Sequence, residues 1–272
     1  MKKLALGTAQ FGLDYGIANE RGKIPKEEVF KILDLALDKG IDTLDTARAY
    51  GEAEKILGEY PKIKRFKVIT KFSENAEEEL NESLQSLKLR KVYGLLAHRA
   101  EVFIKDPSLW DEVLKLKMEG LVDKVGFSIY FPWELERLLE LNFDIVQVPY
   151  NVLDRRFEPL LPKLKNRGIE VHVRSAFLQG LLLIDLTELN PFFDDIKPIL
   201  LELRKLSQNK GVELKDLLLC YVLKNPHVDK VVVGVDSIKQ LELNLAVECS
   251  KDIEVPRYDI DEKFLVPFMW KV

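Results

Sequence analysis

Along this chain, short apolar runs alternate with longer stretches in which apolar residues recur every three or four positions. The short runs cover 4–7, 43–46, 68–71, 92–98, 124–129, 145–150, 170–175 and 230–235. Most are rich in Val, Ile and Leu with little polar alternation, which predicts strands buried on both faces. The longer stretches predict helices. Over 26–39 the apolar positions are Val29, Ile32, Leu33, Leu35, Ala36 and Leu37, with Pro25 before them and Gly40 after. Stretches 52–57, 76–87, 107–118, 132–141, 158–166 and 241–247 follow the same pattern. Pro107 and Pro132 suit a first helical position, and Gly120 and Gly168 suit the residue past a helix end. Segment 195–224 predicts two helices broken near Gly211.

Eight strands, each followed by helical sequence, predict an α/β fold of the (β/α)8 TIM-barrel type, because every parallel crossover needs a covering helix. A doubly wound sheet would often carry a GxGxxG phosphate turn after its first strand, and Gly7-Thr8-Ala9-Gln10-Phe11-Gly12 does not fit that spacing. With no linker or low-complexity stretch, residues 1–272 read as a single domain. The tail, 251–272, has no clear period and is expected to pack over an end of the barrel.

Composition narrows the options. The chain has 272 residues, 47% hydrophobic and 32% charged, with a net charge of -4 and the two signs mixed along its length. That suits one large soluble domain or two small ones and argues against a nucleic-acid surface. No stretch is long and apolar enough to span a membrane. The basic start, Met1 to Gly7, has too short an apolar run for a signal peptide. Cys220 and Cys249 each lie in or beside an apolar helical pattern, so two reduced thiols are expected. With three histidines and no CxxC, no structural zinc site is expected. The location expected from all this is cytoplasmic, with no nucleic-acid or membrane partner, and the oligomeric state is not encoded in these features.

Candidate chemistry sits where the strands stop. Asp45 ends the second run, Lys71 the third and His98 the fourth, and Tyr50 follows Asp45 by one short loop. In a barrel of parallel strands these ends converge on one face. A phenol is too weak an acid to work well at neutral pH. A nearby ammonium stabilises its conjugate base, and a carboxylate can hold that ammonium in place. A histidine can share the proton or orient a carbonyl oxygen. Each residue alone has a plainer explanation: a helix cap, a solvated charge, a packed ring, a satisfied core imidazole. Four on three consecutive strand ends point instead to proton donation to a developing alkoxide. Two alternatives use the same residues. One is a lyase or aldolase with Lys71 as Schiff-base nucleophile. The other is a cofactor-binding regulatory protein with vestigial chemistry.

The sequence resembles the aldo-keto reductases. The resemblance is carried by Asp45-Thr46-Ala47-x-x-Tyr50-Gly51, Thr70-Lys71 and Leu96-x-His98. It continues through Val125-Gly126-Phe127-Ser128, Gln147-x-x-Tyr150-Asn151 and Ser175-Ala176-Phe177-Leu178-Gln179-Gly180-Leu181. It ends with Val233-Gly234-x-x-Ser237-x-x-Gln240-Leu241-x-x-Asn244, so that it covers about 3–248 in order. It implies reduction of an aldehyde or ketone, with a sugar derivative among the candidates. Tyr50 would be the general acid, Lys71 its pKa-lowering neighbour, Asp45 the holder of Lys71, and His98 the orienting group. A nicotinamide cofactor would deliver hydride. It would be bound by Thr8, Asp45, Ser128, Gln147, Arg174, Ser175, Phe177, Gln179, Gly234, Ser237, Gln240 and Asn244, with Ser128 and Gln147 on the carboxamide. No metal is implied. The segment Ser237-Ile238-Lys239-Gln240 also fits a plain capping box.

Three positions depart from the family's pattern. Ile129 replaces a common asparagine. Arg174 replaces the aromatic that stacks on nicotinamide, and its planar guanidinium could stack there or meet an acidic substrate. Asp236 replaces a residue near the adenosine 2′-phosphate, so NADPH is the expected cofactor with NADH kept open. The loop after the fourth strand, near 99–106, looks trimmed and implies an open site. Arg48, Arg99, Arg155 and Arg156 lie near strand ends, where they would be solvated or would attract an anionic substrate.

Overall fold

In the computed structural model of the protein, residues 3–19 and 21–271 are described. Met1 and Lys2 of the basic start, and Val272 at the end of the tail, lie outside the described residues. The strands are β1 (Leu4–Gly7), β2 (Thr43–Asp45), β3 (Lys67–Phe72), β4 (Val92–Ala97), β5 (Val122–Ser128), β6 (Ile145–Pro149), β7 (Glu170–Arg174) and β8 (Lys230–Gly234). They pair in sequence order into a closed barrel, and β8 lies parallel to β1. Helices Lys26–Asp38, Ala53–Glu59, Ala76–Leu87, Trp110–Met118, Pro132–Leu138 and Leu161–Asn166 fill the first six crossovers. Helices Lys197–Lys210 and Leu214–Leu223 share the seventh, with the break at Gly211. This is the (β/α)8 barrel that the alternation predicts. No helix among the described residues is long and apolar enough to cross a membrane.

The strand ends define the rim. Thr46, His98, Ile129, Tyr150, Ser175 and Val235 each fall one residue past their strand, while β3 runs on past Lys71 to Phe72. Two layers of apolar residues hold the frame. The large core lies between strands and helices, and Ile69, Leu96 and Ile145 form a small buried cluster of their own with Tyr93 packed against it. Ile69 and Lys71 are two residues apart on β3, so they face the same side. The expected helix over 107–118 is a 3-10 turn, Pro107–Leu109, followed by Trp110–Met118. The trimmed segment after β4 is not a bare loop. It holds the short helix Glu101–Lys105, anchored by buried Phe103 against Phe72, Trp110 and Phe127.

The tail folds back onto the molecule. Phe264 and Val266 join a second core with Val152, Leu178, Phe193 and Leu218. Arg155 donates to the carbonyls of Val255 and Pro256 at 3.0 and 2.9 Å, and Arg156 pairs with Glu262 at 2.5 Å and Asp154 at 2.8 Å. These two arginines therefore strap the tail down rather than facing a substrate. Arg48 is also engaged, by Glu54 and Glu82.

The expectation of two reduced thiols is corrected. Cys220 and Cys249 form a disulfide, with their Cα atoms 5.3 Å apart. Cys220 lies in helix Leu214–Leu223 and Cys249 just beyond helix Ile238–Leu245. Passage through β8 between them brings the two segments alongside, a juxtaposition that helical periodicity cannot encode. The cytoplasmic expectation loses the support it drew from free thiols.

Candidate active site

Lys71 occupies the centre of the rim. In the β2–β3 register Asp45 is opposite Ile69, so Lys71, two residues further on, projects beside the Asp45 carboxylate. Its ammonium donates to Asp45 Oδ2 at 2.7 Å, to the Thr46 carbonyl at 2.9 Å and to Tyr50 Oη at 3.4 Å. Three donors thus have three acceptors, and the two charged residues are 1% and 3% exposed. Across the barrel, Gln147 Nε2 donates to Asp45 Oδ1 at 2.7 Å, and Ser128 Oγ reaches Gln147 Oε1 at 3.4 Å. A hydrogen-bonded line therefore runs from β5 through β6, β2 and β3 to the phenol. Gln147 holds the carboxylate, a contact that the sequence pattern did not indicate. Thr8 does similar work on the backbone: its N–H and its hydroxyl both meet the Asp45 carbonyl at 3.0 Å.

The loop carrying Tyr50 is fixed from both sides. Arg48 N–H donates to the Lys71 carbonyl, and buried Glu54 accepts from Thr70 Oγ1 at 2.6 Å while facing Arg48 at 3.5 Å. On the other side lies Gly12. A Cβ there would stand 1.9 Å from the Tyr50 carbonyl oxygen, so the turn after β1 can pack against this loop only with glycine. The His98 ring stands edge-on to the Tyr50 ring at 6.1 Å.

These surroundings set the protonation states. Burial, then the Asp45 charge, raises the Tyr50 pKa, and the Arg174 cation acts against them. Lys71 is lowered by burial, with Asp45 opposing the shift. Burial, then the charges of Lys71 and Arg174, pushes His98 down to about 3. The pattern of strand ends predicts that Lys71 lowers the Tyr50 pKa. In the protein as it stands the net shift is upward, because desolvation dominates and the Asp45 charge adds to it. At neutral pH the phenol is protonated and the imidazole neutral.

A cavity of about 350 Å³ opens above this network. Thr8, Asp45, Tyr50, His98, Ser128, Gln147, Arg174, Ser175, Phe177, Gln179, Gly234, Gln240 and Asn244 line it, whereas Lys71 stands behind Asp45. Ser237 does not line it. Its hydroxyl caps helix Ile238–Leu245, accepting from Gln240 N–H at 3.2 Å, and Gln240 Oε1 accepts from Asp236 N–H at 2.8 Å. Ser237 therefore caps the helix through one bond, while the Gln240 side chain takes the N–H one residue before the cap and does not close a capping box. Tyr15, Asn19, Tyr130, Lys215 and Pro267 also line the cavity. The sequence reading missed them because they come from loops, a crossover helix and the tail; the place of Tyr15 and Asn19 just after β1 was the one available signal. Loops after β1 and β7 meet across the mouth, with Gln179 donating to Tyr15 Oη at 3.0 Å and Gly180 close against Ala18. This contact narrows the open site that the trimmed β4 loop implied. Ser175, Leu178 and Gln179 all adopt left-handed φ, at 64°, 49° and 54°, so the β7 loop stores backbone strain at the cavity wall.

The departures from the family's pattern have clear placements. Ile129 is buried, and its carbonyl accepts from Arg174 Nη2 at 3.1 Å. Arg174 lies over the Tyr130 ring with Cζ 3.9 Å from the centroid. Asp236 accepts from Ser237 Oγ at 2.8 Å and lies at the far end of the cavity with Gln240 and Asn244. At that end Gln10 Oε1 and Asn244 Nδ2 are buried without a partner among the described residues, and a Cβ at Gly234 would stand 2.8 Å from the end of the Gln10 side chain. Orphaned amides beside a residue with no side chain suit a polar, elongated ligand such as a dinucleotide.

Comparison with known proteins gives a consistent result. The sequence matches the profile of the aldo/keto reductase family over residues 3–260. It is 29% identical to L-galactose dehydrogenase of Arabidopsis thaliana over 258 residues, covering 83% of this chain and 79% of that protein. It is 25% identical to the uncharacterized oxidoreductase YqkF of Bacillus subtilis over 276 residues, covering 90% of each. A crystal structure of a Pseudomonas aeruginosa protein described as an aldo-keto reductase superposes with a TM-score of 0.71 at 22% identity, covering 92% of this chain and 91% of that one.

Proposed function

This chain belongs to the aldo/keto reductase family, and from that premise we propose that it reduces an aldehyde or ketone to an alcohol, with Tyr50 as the proton donor. The observation that carries the reading is the placement of the Lys71 ammonium between Asp45 and the Tyr50 phenol, at 2.7 and 3.4 Å. A nicotinamide cofactor, when bound, supplies the hydride. The chain's own residues do the rest. Tyr50 and His98 face one cavity, so a carbonyl oxygen there meets a phenolic O–H and a neutral imidazole. Burial keeps Tyr50 protonated until an alkoxide, a stronger base than a phenolate, develops beside it. As the proton leaves, the phenolate gains the Lys71 ammonium as partner, and Asp45, held in turn by Gln147, keeps that ammonium in place.

The residues proposed to hold the cofactor are Ser128 and Gln147 at the carboxamide end and Gly234, Gln240 and Asn244 at the adenosine end. Ser237 would act through the helix cap. The cofactor we propose is NADPH, with NADH open. Asp236 would repel a 2′-phosphate but accept a hydrogen bond from a 2′-hydroxyl. The relative named L-galactose dehydrogenase keeps a sugar derivative among the candidate substrates. A Schiff-base role for Lys71 is disfavoured by its three acceptors and its burial. Tyr50→Phe is expected to lose most turnover while NADPH or NADH still quenches intrinsic fluorescence; full activity in that variant sinks the mechanism. Binding of neither nucleotide would overturn the reading, and the ratio of the two affinities decides the cofactor.

A further inference from the structure

Of the charged side chains lining the cavity, most are already answered. Asp45 has Lys71 and Gln147, Lys215 pairs with Asp216 at 2.7 Å, and Asp236 accepts from Ser237. Arg174 differs: it is half-buried and has no acidic partner among the described residues. Its guanidinium is nevertheless held in a fixed plane. Tyr130 lies beneath it, and Tyr130 is itself braced edge-on by Phe268 at 4.9 Å. Nη2 donates to the Ile129 carbonyl at 3.1 Å, and Nη1 reaches Ser175 Oγ at 3.4 Å. With two of its five N–H donors engaged, three remain for a ligand. Withdrawing a cation from water without a counter-charge costs free energy, and a bound anion offsets that cost.

From this geometry we infer that Arg174 recognises a carboxylate on the substrate, so that the carbonyl compound reduced is an oxo acid or an acidic sugar. The inference rests on the reductase reading for the word substrate, but the anion site is a property of the cavity. Two observations place the charge at the reacting end rather than the adenosine end. Arg174 closes β7, and its side chain reaches across to the end of β5, beside Ser128. Its field also acts on the titration of Tyr50, His98, Lys71 and Tyr15. A carboxylate bound by these donors would therefore hold its carbonyl near Tyr50 and His98. A planar guanidinium suits the two oxygens of a carboxylate, and the exposed face of a stacked arginine cannot be replaced by an ammonium without loss.

The test compares acids with their neutral amides: 4-oxobutanoate with 4-oxobutanamide, and glucuronate with glucuronamide. The wild-type protein should favour at least one acid by about 10- to 100-fold in kcat/KM, the range for a hydrogen bond to a charged group. In Arg174→Ala that ratio should fall toward one through a rise in KM for the acid, and Arg174→Lys should restore only part of it. NADPH affinity is titrated in parallel. Equal losses on acid and amide, following a loss of cofactor affinity, overturn the inference and assign Arg174 to the nicotinamide. A wild-type ratio near one for both pairs overturns it as well. Calorimetry with 4-hydroxybutanoate and 4-hydroxybutanamide on the NADP complex separates the two levels of argument. Acid-selective binding that depends on Arg174, without turnover of any carbonyl, keeps the anion site and sinks the reductase reading. Turnover of acid and amide alike does the reverse.

Discussion

Lys71→Met would remove the cation from beside a buried carboxylate. The side chains of Lys71 and Asp45 are 0% and 4% exposed, so water cannot replace the lost partner. Breaking one side of a buried pair costs about 3–5 kcal/mol. Gln147 still donates to Oδ1, which favours the lower half of that range, and the Thr46 carbonyl loses a donor worth about 1 kcal/mol. A loss of about 4 kcal/mol is therefore expected. Adding Asp45→Asn removes the uncompensated charge, and the double variant should return to within about 2 kcal/mol of the parent. Urea unfolding followed by tryptophan fluorescence measures both, with slopes compared to check that the transition stays two-state. Turnover should be lost in the single and the double variant alike, because neither offers an ammonium to the phenolate. If the double variant is no more stable than Lys71→Met, the stranded charge is not the source of the loss. If the double variant regains turnover, the pair does not support proton donation.

Other expectations follow from the same structure. His98, pushed down to about 3 by burial, titrates near 6.5 once the chain unfolds. The unfolded state then binds the extra proton, so this group's contribution is complete above 6.5 and is lost as pH falls toward 3. Melting curves across that window should be less steeply pH-dependent in His98→Gln, and an identical slope refutes the argument. The disulfide closes a span of 29 residues, worth about 3–4 kcal/mol by loop entropy. Reduction, or the pair Cys220→Ser and Cys249→Ser, should lower the urea midpoint, and an unchanged midpoint would count against the bridge. Gly12→Ala forces a Cβ against the Tyr50 carbonyl at 1.9 Å and the Ala53 nitrogen at 2.4 Å, both backbone atoms. A shift of the Tyr50 loop by an ångström would cost about 10²-fold in turnover. Full turnover with an unchanged melting temperature would show that the close approach is absent.

The frame was legible because buried parallel strands leave uninterrupted apolar runs and their crossover helices leave a helical period. Runs such as 4–7 and 230–235 predicted β1 and β8 to within one residue, and the break at Gly211 was visible as a breaker between two amphipathic stretches. The tail was not legible as structure. Its helix Glu262–Leu265 has four residues, and its order comes from Arg155, Arg156 and an apolar cluster far away in sequence.

By itself the sequence determined which residues stand at the strand ends, since spacing along one dimension suffices for that. Asp45, Tyr50, Lys71 and His98 could therefore be named, and barrel closure was enough to expect them on one face. Only the tertiary structure decided how they engage. Gln147 meets Asp45 across 102 residues of sequence, because register and closure set which side chains oppose one another. The pKa of Tyr50 moves up, because burial and the charge of Asp45 are sums over three dimensions. Arg174 is left without an acidic partner among the described residues for the same kind of reason. Charge balance at a site depends on everything packed around it, and no local pattern of residues records that.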